Sequence, residues 1–301
     1  MAEPFVDTET DRTKSRWVAD ALRDFGRSKT TVRALFYFAM RREVSDYPIC
    51  GKLVGEIRIC RPYVEGDGER LPKWVSRAKK LGFIPEDAIL EEIPGERVFL
   101  PETSSNESTE LRIEVWINKS ALNQLILPVC TKHGATLVSV NGKPSIEAIE
   151  GLYKRSDKPT IILCLSDLSM MSFSFCRDLA RTIAEVNFAE KKDMRVKRIG
   201  LTPEQVSNLK IPMVRGEHGV RKERKEYEAY LKPYDFSSKR MAELDALEAY
   251  HQGGLAEFVD KAISRYEDIS KRDGETWLLD LGKGILPADK DIDSVEIAQS
   301  T

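Results

Sequence analysis

The chain has little excess charge of either sign, because its 47 lysines and arginines are almost balanced by 49 aspartates and glutamates, which gives a net charge of −2. This balance excludes a histone-like protein that binds nucleic acid through overall positive charge, so any such contact needs a local basic patch. The chain also lacks an apolar run near the roughly 20 residues that span a bilayer. Its first residues contain acids and no apolar core segment, unlike a secretory signal. We therefore expect a cytoplasmic protein without a membrane partner.

Metal-binding sequence patterns are equally scarce. The chain has three histidines and five cysteines, and the cysteines stand at long spacings without a CxxC pair. A zinc site is therefore not predicted. The expected state is that of buried, reduced thiols in a cytosolic protein, at Cys50, Cys60, Cys130, Cys164 and Cys176.

The length of 301 residues and the apolar fraction of 41% suit two globular domains, each with its own core. The segment 101–110, PETSSNESTE, is polar and without periodicity, which predicts a linker. We thus expect a first domain over 1–105, a second over 111–270 and an acidic tail over 271–301.

The first domain is predicted to be mainly helical. Helices are expected over 12–25, 30–42, 49–60 and 69–81, and a short strand over 97–100. Several helices followed by a strand within about 100 residues suit a winged-helix-type DNA-binding module.

The second domain alternates apolar strand-like runs with helical segments. Strands are expected over 111–117, 136–140, 160–165 and 195–201, and helices over 119–133, 145–155 and 172–187. This alternation predicts an α/β domain with a parallel, Rossmann-like sheet covered by helices. From residue 203 onward the sequence is charged and helical, which predicts a helical C-terminal extension.

The helix over 30–42 carries a tyrosine between two arginines. At 100° per residue Val32 and Leu35 fall on a stripe that faces the core, and Tyr37 lies roughly 150° away, on the side of Arg33 and Arg41. Such a phenol on an outward face can meet a phosphate that the two guanidinium groups grip. The alternative is a surface tyrosine packed on arginine stems, without chemistry.

Two acids lie in or after strands of the second domain. Glu114 is inside the first strand, and Asp167 follows the strand over 160–165. Because ligands bind beyond the carboxyl ends of parallel strands, two such carboxylates suit Mg²⁺. The alternatives for Glu114 are an exposed sheet edge or an ion pair with a lysine such as Lys119.

Basic residues are concentrated in the later part of the first domain. Such residues grip a DNA backbone without reading sequence, and the alternative is a solvated helix face. The residues of this run are Arg61, Arg70, Lys73, Arg77, Lys79 and Lys80.

From about 28 to 265, the sequence resembles the A subunit of type IIB topoisomerase VI and its relatives, which include the meiotic double-strand-break protein and short prokaryotic proteins with a Toprim domain. In that family a T-x-R-x-hydrophobic-F/Y-Y helix carries the nucleophilic tyrosine, and residues 31–37, TVRALFY, fit it. Further similar segments are 70–89 (arginine-rich helix, then Gly-hydrophobic-Ile-Pro), 112–119 (the Toprim strand with its glutamate), 198–206 (a late strand and turn) and 242–247 (an E-L-D-A-L motif).

The resemblance implies a winged-helix domain followed by a Toprim domain, in a nucleoid-associated homodimer that cleaves double-stranded DNA. Tyr37 would attack a phosphate and remain linked to the 5′ end, with Arg33 and Arg41 stabilising the charge. Mg²⁺ held by Glu114 and Asp167 would neutralise a phosphate. The sequence has no GxxxxGK[ST] loop, so ATP-driven strand passage would need a separate ATPase subunit.

The chain departs from the Toprim pattern at its D-x-D motif. Asp167 keeps the first aspartate, but the second position is Ser169 and a later acidic position is Ser174. A serine hydroxyl is a much poorer Mg²⁺ ligand than a carboxylate, so a third oxygen would have to come from Glu243 or Asp245. Two alternatives to tyrosine cleavage therefore stay open: a DNA-binding or scaffold protein with a decayed Toprim site, and a metal-dependent nuclease that uses water.

Overall fold

A computed structural model of the protein describes residues 7–41, 49–54, 57–101, 111–190, 192–216 and 221–272. The chain divides into two compact units. Unit 1 comprises Met1–Glu91 with Glu248–Tyr250, and unit 2 comprises Glu92–Leu247 with His251–Thr301. The predicted linker over 102–110 and the tail from 273 onward lie outside the described residues.

Unit 1 combines three helices with short strands. Its elements are α1 (Glu9–Phe25), β1 (Thr30–Thr31), α2 (Val32–Arg41), β2 (Ile49–Val54), β3 (Ile57–Arg61), α3 (Leu71–Lys80) and β4 (Ile89–Leu90). The first, second and fourth predicted helices are present. Thr31 caps α2, since its Oγ1 accepts the Ala34 N–H at 2.9 Å.

The helix predicted over 49–60 is wrong, because β2 and β3 form an antiparallel hairpin there. The sequence of β3 begins Ile57-Arg58-Ile59, an apolar–basic–apolar alternation with the period of a strand. The hairpin also changes the cysteine assignment: Cys60 is exposed and disulfide-bonded rather than a buried thiol. Cys130, Cys164 and Cys176 are free and buried as expected.

Unit 2 is an α/β unit, as the sequence predicts. Its elements are β5 (Arg97–Phe99), β6 (Arg112–Ile117), α4 (Asn123–Lys132), β7 (Thr136–Ser139), α5 (Ile146–Arg155), β8 (Thr160–Leu165), α6 (Met170–Glu190), β9 (Met194–Gly200), α7 (Pro203–Asn208), β10 (Val214–Arg215), α8 (Arg221–Leu231), β11 (Arg240–Met241), α9 (Leu244–Tyr250) and α10 (Gly254–Arg272). The last three residues of α9 count with unit 1.

Five strands form the main sheet of unit 2 in the order β5-β7-β6-β8-β9. The last four in sequence are parallel, and β5 pairs with β7 in the antiparallel direction. The strand predicted at the end of the first domain therefore belongs to unit 2, and the chain enters that unit at Glu92 rather than after residue 105.

The sheet has a topological switch point at β6. The chain passes from β6 to β7 on one side, and β8 then lies on the other side of β6. Ligand sites in open parallel sheets lie beyond the carboxyl ends of the two strands at such a point. A ligand site is therefore expected at the residues that follow Ile117 and Leu165.

Within the described parts of the chain, no helix is long and apolar enough to cross a bilayer.

Candidate functional site

A lysine lies among three carboxylates at the switch point. Lys119 follows β6, and its Nζ is 3.7 Å from Oδ2 of Asp167 and 3.5 Å from Oε1 of Glu243. The same ammonium forms its closest contact with Oδ2 of Asp245. We call Asp167, Glu243 and Asp245 the carboxylate cage. It joins the carboxyl ends of the two central strands to the first turn of α9.

Backbone contacts hold the cage together. Leu168 and Ala242 exchange two hydrogen bonds of 2.9 and 3.0 Å, which bring the segment before α9 to the end of β8. The Leu244 N–H then donates to Oδ1 of Asp167 at 2.8 Å. This bond leaves the other oxygen of Asp167 directed at Lys119.

The pKa values of Asp167 and Lys119 are both shifted at this site. Burial raises the pKa of Asp167 to about 6, although the nearby Lys119 ammonium acts in the opposite direction. The pKa of Lys119 is raised: burial alone would lower it, but the charges of Asp167, Asp245 and Glu243 outweigh burial. At neutral pH the site thus contains the Lys119 ammonium and an Asp167 carboxylate that is largely ionised.

Glu114, the other predicted metal ligand, lies elsewhere. In the register of β6 and β8 it pairs with Ile162, five residues before Asp167, which is about 16 Å along a strand. Glu114 is fully buried, and it accepts two hydrogen bonds from Arg155 at 2.9 and 3.1 Å and one from Nε1 of Trp116 at 2.9 Å. The structure therefore does not bring the two predicted ligands together, and the partner of Glu114 is Arg155 of α5 rather than a sheet edge or Lys119.

These positions do not fit the predicted magnesium ion. The described residues contain no group of three or more His, Cys, Asp or Glu side chains arranged to hold a metal. Glu243 and Asp245 do approach Asp167, as expected for a third oxygen, but an ammonium lies among them. Ser169 accepts the Ser172 N–H at 3.1 Å in the first turn of α6, where a short polar residue serves as a cap rather than as an acid.

Tyr37 is fully buried, so the prediction that it faces outward is wrong. Residues 34–39 of α2 are all buried, which means that the helix has no solvent-facing side at its centre. The unbroken apolar run ALFYFA could have indicated this, because a helix that is apolar all round lies in a core. The two arginines differ in position. Arg33 donates to the Tyr37 hydroxyl at 3.4 Å, whereas Arg41 donates to the Ala249 carbonyl at 3.2 Å.

The predicted basic residues divide between two sides of α3. The exposed cations Arg70, Lys73 and Lys80 fall within about 80° of one another around the helix, and we call these three the α3 basic face. Arg77 lies on the same side and is 3.7 Å from Asp11. Lys79 is on the opposite side, with a largely buried side chain that is 3.4 Å from Glu91.

A second group of cations continues the α3 basic face. Burial and the charges of Arg61 and Arg70 lower the pKa of Lys14 in α1, and Asp67 offsets only part of this effect. Lys14 lies 5.0 Å above the ring of Trp74. An anion bound at this surface would relieve the repulsion among the three cations.

Comparison with known proteins adds no assignment. No protein-family model matches the chain. A search of curated proteins also finds no match.

The raised pKa of Asp167 makes a prediction about pH and stability. A carboxyl group with a higher pKa in the folded state binds its proton more tightly in that state. Its contribution to the free energy of unfolding therefore falls as pH rises from about 4 to about 6. The difference in the free energy of unfolding between wild type and Asp167→Asn should therefore fall by about 2 kcal/mol between pH 4 and pH 7. Urea denaturation at a series of pH values measures this difference.

Asp157→Asn is the matched control for that experiment. The hydrogen bond and charge of Arg112 lower the pKa of Asp157, so the corresponding difference should stay nearly constant between pH 4 and pH 7 and should fall only when pH drops below about 4. The explanation fails if both variants show the same fall between pH 4 and pH 7, or if the Asp167 difference is independent of pH.

Proposed function

We propose that this protein binds double-stranded DNA through the α3 basic face without reading its sequence, and that binding requires neither a metal ion nor a covalent link. The observation that carries the proposal is the stripe of exposed cations at Arg70, Lys73 and Lys80 on one helix. Because the chain as a whole has a net charge of −2, this stripe is a local concentration of positive charge and does not reflect a basic composition of the whole protein.

The extent of the α3 basic face supports DNA as the ligand. Its exposed cations extend along about ten residues of helix, a length of about 15 Å that covers several phosphates of a duplex. Phosphate contacts of this kind fix position and carry no sequence information.

Two features argue against cleavage by the tyrosine route. The Tyr37 hydroxyl lies in a fully buried side chain and contacts Arg33, so it is not presented to a phosphate in this conformation. Glu114 is engaged by Arg155, and Lys119 lies within the carboxylate cage. A DNA-binding or scaffold protein without the cleavage reaction is therefore the function that these residues support best.

One observation favours the cleaving alternative that the family resemblance implies. The Arg33 guanidinium donates to the Tyr37 hydroxyl, an arrangement that would stabilise a phenolate if the side chain became accessible. Homodimerisation and a separate ATPase subunit belong to that alternative, and non-covalent DNA binding does not require them.

The salt dependence of DNA binding tests the proposal. Fluorescence anisotropy of a labelled duplex should show wild-type binding that weakens steeply between 50 and 300 mM KCl. Each phosphate contact contributes about −0.9 to the slope of the logarithm of the binding constant against the logarithm of the salt concentration, because DNA takes up counterions again when the protein leaves. The variant Arg70→Gln, Lys73→Gln, Lys80→Gln should bind roughly 100- to 500-fold more weakly at about 0.1 M salt, with a slope reduced by about 2–3.

A control with the same loss of charge separates local contacts from overall charge. Exposed lysines of unit 2 provide it in the variant Lys225→Gln, Lys232→Gln, Lys239→Gln. This variant should keep nearly wild-type affinity and slope. Equal weakening by both triple variants, or no measurable binding by the wild type at low salt, would refute the assignment of the α3 basic face.

A further inference from the structure

The carboxylate cage contains its own cation. The three carboxylates surround one cation, the ammonium of Lys119, which lies within 3.7 Å of each acid. We propose that Lys119 is a built-in replacement for a divalent ion, so that unit 2 keeps its fold at the switch point without bound metal and excludes magnesium from the cage.

Burial gives the ammonium an energetic role. Asp245 is fully buried, and the side chain of Glu243 is only 9% exposed. A buried carboxylate without a positive partner is strongly unfavourable, because the low-dielectric interior does not replace its lost hydration. Lys119 is the cation that the structure places against all three acids, so it performs the charge compensation that a metal ion would otherwise provide.

The backbone around Lys119 keeps the ammonium in place. Lys119 comes two residues after the end of the central strand β6, and its carbonyl accepts the Leu122 N–H at 3.2 Å in the turn before α4. Ser120, the next residue, donates to Glu92 and to the Ile93 carbonyl. A cation tethered so closely has a high effective concentration at the cage, against which a free ion must compete.

The coordination geometry of magnesium also indicates that the ion is excluded from the cage while Lys119 is in place. Mg²⁺ needs oxygen ligands at 2.0–2.1 Å in an octahedral arrangement. A lysine Nζ at the centre of the cage occupies the volume that such an ion would take, so the ammonium must leave before the ion can bind. The serines at 169 and 174 supply neutral oxygens, and Ser174 donates its hydroxyl proton to the Met171 carbonyl at 3.4 Å.

Removal of the ammonium should therefore create a metal site. The variant Lys119→Met keeps most of the apolar stem of the side chain and removes the ammonium. It leaves three carboxylates facing one another, and a divalent ion would relieve their repulsion. We expect Lys119→Met to bind one Mn²⁺ at least 10-fold more tightly than the wild type, measured by electron paramagnetic resonance of free Mn²⁺. Mg²⁺ at 20 mM should raise the melting temperature of Lys119→Met by several degrees and leave that of the wild type unchanged.

Lys132→Met and Lys119→Arg are the controls. Lys132 pairs with Asp260 on the surface, so its removal takes away a lysine–carboxylate contact outside the cage and should not create a Mn²⁺ site. Lys119→Arg keeps a cation at the cage and should bind no more Mn²⁺ than the wild type does.

The wild-type titration decides the proposal even if Lys119→Met does not fold. A stoichiometric, submillimolar Mn²⁺ site in the wild type that Asp167→Asn abolishes would overturn it, as would a folded Lys119→Met protein without a Mn²⁺ site. These readouts do not involve DNA, so the result is independent of whether the α3 basic face binds a duplex.

Discussion

Replacement of Arg155 by methionine is expected to lower the free energy of unfolding by about 3–5 kcal/mol, because it leaves the buried carboxylate of Glu114 without its positive partner. Glu114 lies in β6 and is fully buried, and Arg155 of α5 donates two hydrogen bonds to its carboxylate. Trp116 supplies one further N–H, which cannot compensate a full charge. Urea denaturation followed by tryptophan fluorescence measures the loss.

The double variant Glu114→Leu, Arg155→Met distinguishes an uncompensated charge from a general loss of packing. It removes the charge together with its partner, so it should be more stable than Arg155→Met alone, although Trp116 loses its acceptor. Lys261→Met serves as the surface control, since Lys261 and Glu257 form an exposed pair one helical turn apart. If Arg155→Met and Lys261→Met had equally small effects, Glu114 would not need Arg155.

Replacement of Tyr37 by alanine should also be strongly destabilising, by about 3–5 kcal/mol, because it opens a cavity in a tightly packed core. The ring contacts Phe36 in an edge-to-face arrangement with centroids 4.9 Å apart, and the Arg33 guanidinium lies 5.1 Å from its centroid. Tyr37→Phe keeps the ring and loses the contact of the hydroxyl with Arg33, so it should cost about 1 kcal/mol. Chemical denaturation of the two variants measures both values.

This pair of variants separates a core side chain from an exposed nucleophile. A tyrosine held at the surface for catalysis would tolerate alanine with little loss of stability, since surface substitutions are usually within about 0.5 kcal/mol. A small effect of Tyr37→Ala would therefore contradict the burial of this residue, and it would restore the prediction that the hydroxyl reaches a phosphate.

The sheet of unit 2 could be predicted from the sequence because its signals are local. Runs such as Ile161–Leu165 are apolar at every position, and helices of ten or more residues separate them, which together indicate buried parallel strands. The carboxyl end of β8 follows directly from that assignment, so the place of Asp167 was predictable. The approach of Glu243 and Asp245 was suggested only by the need for more oxygen ligands.

The predictions that were wrong depend on contacts between residues that are far apart in the sequence. A helical projection assigns Tyr37 to an outward face only if solvent lies opposite the apolar stripe, and that condition is not visible in the sequence of α2. The partner of Glu114 is 41 residues away in Arg155, on a helix that no spacing rule connects to the strand. The sequence also allows Lys119 as a partner for Glu114, but the turn of the chain after β6 directs this lysine to the cage.

The most direct test combines DNA binding with a search for covalent product. Plasmid DNA is incubated with wild type and with Tyr37→Phe in the presence of Mg²⁺, and after detergent denaturation the DNA is examined for breaks and attached protein. Non-covalent binding through the α3 basic face predicts intact plasmid, no attached protein and the same result for both proteins at equal occupancy. Breaks with protein linked to their 5′ ends in the wild type, absent with Tyr37→Phe, would contradict it.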